Sequence, residues 1–140
     1  PRELAISYGV EDIVTCSGYV THQKSVELMM TADVLLLFWA PGIGTVGGKL
    51  YEYIRANQFI LAFDQGNRDG KEILDRTGRG RAVPIDDVEK QVEVLTNLIN
   101  IRRNGEALLP SPLPSIDEYS RQSQNDHLLE VLNGVIHGKV

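Results

Sequence analysis

"DVLLLFWAPGIGTVGGKLYEYIRANQFILAFD", Asp33 to Asp64, decides the fold. Its two apolar runs, Val34 to Ala40 and Phe59 to Ala62, are continuous rather than alternating, the pattern of parallel strands buried on both faces. Between them a glycine-rich turn, Pro41 to Gly48, leads into a run with helical spacing that ends near Ala56. Strand, turn, helix and strand make one parallel β-α-β unit. Turns of this kind let a backbone approach and cradle phosphate.

The alternation continues on both sides. Upstream, a helical piece ends near Gly9, Asp12 leads into "IVTCSG" (Ile13 to Gly18), which reads as a strand, and "THQKSVELMMTA" reads as a helix. Thr21 is its N-cap, and Val26, Met29 and Met30 share one face. Downstream, "KEILDRT" is a helix stopped by Gly78, and "GRAVPID" is the final strand. Asp86 and Glu89 have capping-box spacing at the head of a long helix ending near Gly105, with Val88, Val92, Leu95 and Ile99 as its buried face. "LLPSPLPS" is a proline-punctuated linker before a mainly helical segment, Ile116 to Ile136. The expected fold is α/β, a doubly wound, Rossmann-like parallel sheet. Residues 1–109 form its body, and 110–140 a linker and helical tail of the same domain.

At 140 residues the chain fits one domain, and 42% hydrophobic with 24% charged residues is an ordinary balance for a packed core. A net charge of -5 gives no basic footprint for nucleic acid. One cysteine, Cys16, rules out an internal disulfide and lacks the companions of a zinc site; its apolar surroundings predict a buried, inert thiol. The longest apolar stretch is too short to span a bilayer, and no signal peptide is visible, so a cytoplasmic location is expected.

The turn admits three readings. Gly42, Gly44 and Gly47 satisfy the dinucleotide fingerprint G-x-G-x-x-G, and Asp64 lies 20 residues beyond Gly44, where a ribose-binding acid belongs. Pro41 fits that pattern awkwardly, a strand-helix unit already precedes this one, and Glu52 stands where the helix should be small and apolar. A P-loop fails, because Ile43 occupies the place of its first glycine and Leu50 that of its magnesium-binding hydroxyl. The third reading joins the helix N-terminus to Glu52. Free N–H groups from Gly47 to Leu50, with Lys49, suit a diphosphate. Glu52, one turn further in, accepts hydrogen bonds from two adjacent hydroxyls, as a ribose offers.

With these residues in view, the chain resembles the donor-binding domain of group 1 (family 4-like) glycosyltransferases of the GT-B fold. The resemblance lies in Gly18-Tyr19-Val20, Ala32-Asp33-Val34, Lys49-Leu50-Tyr51-Glu52-Tyr53 and Phe59 to Ala62, and continues through "DRTGRGRAV", "DDVEKQVEVL" and "YSRQ" at Tyr119 to Gln122. It implies a nucleoside diphosphate sugar, usually of UDP or GDP, as donor substrate, with no cofactor and no metal. Glu52 matches the second acid of the family's E-x7-E pattern, the ribose ligand. The first acid falls at position 44, which is Gly44 here, leaving the backbone of Gly44, Thr45 and Val46 to hold the sugar. Gly47, Gly48, Lys49 and Leu50 face the diphosphate, and Gly18, Tyr19 and Val20 line the nucleobase. His22 begins a helix near that base site but has no partner to make it more than structural. Catalytic residues stay unassigned, as do the donor sugar and the acceptor. The acceptor site belongs to an N-terminal domain across a cleft, and membrane association of the full-length enzyme stays open.

The resemblance also implies a partial C-terminal domain lacking its first strands, because two of the family's strands would lie between "IVTCSG" and "DVLLLFWA". Buried backbone groups do not stay unpaired. The expectation is therefore a truncated piece, inert alone, in which either "IVTCSG" moves beside "DVLLLFWA" or a second copy completes the sheet. A noncatalytic Rossmann-type nucleotide-binding module and a GT-B-shaped sugar-nucleotide epimerase remain the alternatives.

Overall fold

The computed structural model describes residues 1–39 and 46–137. Strands β1 (Val34–Phe38), β2 (Phe59–Asp64) and β3 (Gly80–Pro84) pair in parallel, in that order. Helix α3 (Gly48–Ala56) connects β1 to β2, and α4 (Arg68–Thr77) connects β2 to β3. Both pack on one face, where Leu50 and Ile54 of α3 and Leu74 of α4 meet Leu37, Ile60 and Ala62 of the sheet. On the other face α5 (Val88–Arg103) sets Val94 and Leu98 against Leu61, Phe63 and Val83. Residues alternate between these two cores along each strand, as a two-residue period requires. Helices on both faces of a parallel sheet are compatible with a Rossmann-like α/β fold.

Local chemistry explains most boundaries. Helix α2 (His22–Thr31) starts where the Thr21 hydroxyl accepts the Lys24 N–H, and α4 where the Asn67 side chain accepts the Gly70 N–H. Gly78, at φ 63°, takes the left-handed conformation that stops α4. The linker folds back on the sheet domain. Arg79 Nη1 donates to the carbonyls of Thr77 and Pro114, Ile116 reaches the first core, and Arg76 Nη2 donates to both carboxylate oxygens of Glu118 at 3.0 Å. Burial lowers the Arg79 guanidinium pKa from its ordinary value. A 3-10 turn, Asp117–Tyr119, leads into α6 (Arg121–Ile136), which has no buried residue. Among the described residues no helix is long and apolar enough to cross a membrane.

Five expectations are corrected. Ile13 to Gly18 is not a strand; after the short α1 (Arg2–Ser7) it is turn and irregular chain, with Ile13 exposed. A strand needs a ladder, and none of the described strands pairs with this run. Cys16 is consequently exposed rather than buried. β1 is covered on one face only: Leu35 and Leu37 are buried, while Leu36 and Phe38 are 46% and 65% exposed, because α5 packs over β2 and β3. Helix α5 is capped by Asp87, which accepts the Lys90 N–H at 2.9 Å, not by Asp86. Its buried stripe is turned accordingly, leaving Val88, Val92 and Ile99 exposed and only Leu95 of the expected set packed on the core.

Candidate functional site

The site lies at the carboxyl end of the parallel sheet, where ligands of open α/β folds bind. Helix α3 begins there without a side-chain cap, as does the short α1. α2, α4, α5 and α6 each have a side-chain oxygen on an early N–H, from Thr21, Asn67, Asp87 and Ser120, whereas Gly47 caps α3 with no side chain at all. Leu50 N–H is donated to Gly47 O, and the first donors of the helix, Gly48 and Lys49, have no side-chain cap. Neither glycine is demanded by the fold. Gly47 is extended at φ -64° and Gly48 helical, conformations open to any residue, and among the described residues a Cβ at either position meets nothing within 4 Å. Among the described residues, nothing fills the space in front of the N–H groups at the head of α3.

Beside that space, Lys49 Nζ donates to Glu52 Oε2 at 2.8 Å and stands 5.4 Å from the centre of the Tyr53 ring. Both charged side chains are about half exposed, so their pairing is worth little, at most about 1 kcal/mol. A ligand can separate them at small cost. The four residues from Gly47 to Leu50 do not act alike. The Leu50 side chain is fully buried in the first core and its N–H is taken, so it anchors the turn. Val46 also packs on that core. Gly44 and Thr45 lie outside the described residues.

A cleft of about 1020 Å³ opens along α3, lined on that side by Gly48, Tyr51, Glu52 and Arg55. Tyr119, Arg121 and Asn125 line the opposite side, brought there by the folded-back linker. The Tyr51 and Tyr119 rings are 6.0 Å apart, and burial raises the Tyr119 phenol, the Glu118 carboxylate adding to the shift. Neither Arg55 nor Arg121 is in an ion pair among the described residues. Sequence reasoning did not select Tyr51, Arg55 or Arg121. Arg55 follows Glu52 by three residues, which puts the two on one helical face, and that spacing was the available signal. Arg121 lies within the "YSRQ" stretch, but its place in the cleft depends on the path of the linker.

On the other flank of α3, a groove of about 280 Å³ holds His22, Val26 and Met29 of α2 beside Glu52 and Arg55. The structure thus brings His22 to the same glutamate. Of the Gly18 to Val20 turn, Gly18 is left-handed at φ 67°, Tyr19 stands fully in solvent, and Val20 is half-buried two residues before His22. Asp64 serves a different purpose from a ribose ligand: its Oδ1 accepts the N–H groups of Gly66 and Asn67 at 2.9 and 2.7 Å and shapes that loop. Among the described residues no group of three or more His, Cys, Asp or Glu side chains could hold a metal ion.

Compared with protein-family models, with curated protein sequences and with solved structures, the chain matches none.

Proposed function

We propose that this chain is the donor-binding part of a sugar-nucleotide-dependent glycosyltransferase of GT-B architecture. The observation that carries the reading is the pair of adjacent glycines, Gly47 and Gly48, that neither backbone conformation nor packing among the described residues requires. They precede uncapped N–H groups, a mobile lysine and a half-exposed glutamate. Uncapped N–H groups and partial positive charge favour a diphosphate. When Lys49 turns to the phosphates, Glu52 is released to accept from the two ribose hydroxyls. Arg55 and Arg121 add positive charge to the same cleft. The nucleobase then lies on the α2 side, in the groove with His22.

In the reaction the bond from the sugar's anomeric carbon to the β-phosphate oxygen breaks with its electron pair on the leaving diphosphate, while an acceptor hydroxyl oxygen bonds to that carbon and gives its proton to a base. Charge growing on the β-phosphate is stabilised by donors fixed in advance, the contribution expected of α3. In this reading the acceptor and any base are supplied from across the cleft, not by α3.

Calorimetric titration with UDP, GDP, ADP and NADH tests this. A uridine or guanosine diphosphate should bind in preference, and Glu52→Ala should weaken it at least tenfold. Preferential binding of NADH, or unchanged affinity in Glu52→Ala, would overturn the assignment.

A further inference from the structure

We infer that Arg55 and Arg121 form an oxyanion subsite at the foot of the cleft along α3, and that this cleft takes a hydroxylated ring bearing a phosphate or a carboxylate. The subsite goes beyond the proposed nucleotide site. That site uses the head of α3, Glu52 and the α2 groove, and leaves the foot of the cleft without an occupant. Gly48, Glu52 and Arg55 recur at helical spacing on the face of α3 turned away from the fully buried Leu50 and Ile54. Arg55 follows Gly48 by seven positions, a rise of about 10 Å along the helix. One phosphate at the head of α3 therefore does not reach the foot.

Charge decides what the foot accepts. The chain carries a net charge of -5, yet among the described residues no carboxylate pairs with Arg55 or Arg121. Glu52 is the acid on the cleft lining, and Lys49 Nζ holds it at 2.8 Å. Two guanidinium groups thus face each other across an otherwise neutral cleft. A guanidinium presents two parallel N–H donors, which match phosphate and carboxylate oxygens alike.

The backbone that carries Arg121 is fixed on both sides. Upstream, Glu118 accepts two bonds from Arg76 Nη2 at 3.0 Å, and its carbonyl accepts from Gln124 Nε2 at 2.7 Å. Downstream, Ser120 Oγ accepts the Ser123 N–H at 3.1 Å and caps α6, of which Arg121 is the first residue. The guanidinium itself belongs to an exposed residue, so a ligand meets a donor whose main chain needs no ordering. The rest of the lining suits a sugar ring. Tyr51 offers aromatic surface to ring C–H groups, and the Ser120 hydroxyl and Asn125 amide both donate and accept, as ring hydroxyls require. At about 1020 Å³ the cleft is at the upper end of small-molecule sites.

The test is an NMR titration of the isotope-labelled chain, read at the arginine side-chain N–H signals, with glucose 6-phosphate, glucuronate, glucose and inorganic phosphate as probes. Glucose 6-phosphate or glucuronate should give saturable shifts at Arg55 and Arg121, at least tenfold tighter than glucose or inorganic phosphate. The tighter of the two tells phosphate from carboxylate. Arg55→Gln and Arg121→Gln, with helical circular dichroism retained, should each weaken that binding at least tenfold, whereas Arg68→Gln on α4 should leave it unchanged. Saturating UDP should not displace the probe. No saturable shift with either anion, equal binding of glucose, unchanged affinity in either cleft variant, or displacement by UDP would each overturn the inference. The anion titration is complete without UDP, so a chain that fails to bind UDP sinks the nucleotide reading alone.

Discussion

Gly48 and Gly80 are both glycine for opposite reasons, and that contrast separates a residue kept for the fold from one kept for a ligand. At Gly80 a Cβ would lie 2.0 Å from Ile60 O, a backbone atom of the neighbouring strand that is itself held in the ladder. Gly80→Ala should therefore cost about 2–3 kcal/mol or more, as overpacking against rigid neighbours does, and lower the urea midpoint visibly. At Gly48 the described residues offer no obstacle, so Gly48→Val should leave the unfolding free energy within about 0.5 kcal/mol of the unaltered chain's. It should nevertheless weaken nucleoside diphosphate binding at least tenfold, because the valine fills the space kept in front of the N–H groups. Equal affinity in that variant would mean the space serves something else. The sequence showed glycine at both places; only the distances to neighbouring atoms distinguish the two roles. In the same way Asp64 had the spacing of a ribose ligand, yet two loop N–H groups occupy its Oδ1.

Elements with a strong local signal were legible, and their faces were legible only where neighbours did not intervene. Thr21 and Gly78 bound their helices as expected because a cap is decided within four residues. For α5 two adjacent aspartates fit the same pattern, and the chain leaving β3 selects Asp87. Asp87→Ala should cost about 1 kcal/mol, and Asp86→Ala a few tenths at most; equal losses would mean the helix starts one residue earlier. The proline linker was legible as irregular chain, but its docking through Arg79 and Ile116, which brings Tyr119 to α3, is a tertiary event. Tyr119 makes that docking testable by pH. Its phenol keeps its proton to higher pH in the folded state, so in the unfolded chain it ionises first, near pH 10. The stability it contributes is present below about pH 10 and is lost as the pH rises through the folded value. Urea midpoints at about pH 8 and pH 11 should fall less in Tyr119→Phe than in the unaltered chain. An identical fall in both would show that the linker does not hold Tyr119 buried.

For the whole molecule, continuous apolar runs correctly marked β1 and β2 as parallel strands but could not tell a central strand from an edge. A run such as "VLLLF" is suited to burial on both faces whether or not anything covers the second one. The same limit explains "IVTCSG", which has strand composition and no strand beside it, and Val88, Val92 and Ile99, which have the periodicity of a buried face and are exposed. In each case composition records what a segment is able to pack against, and whether a neighbour covers it is decided by the tertiary placement of the elements around it.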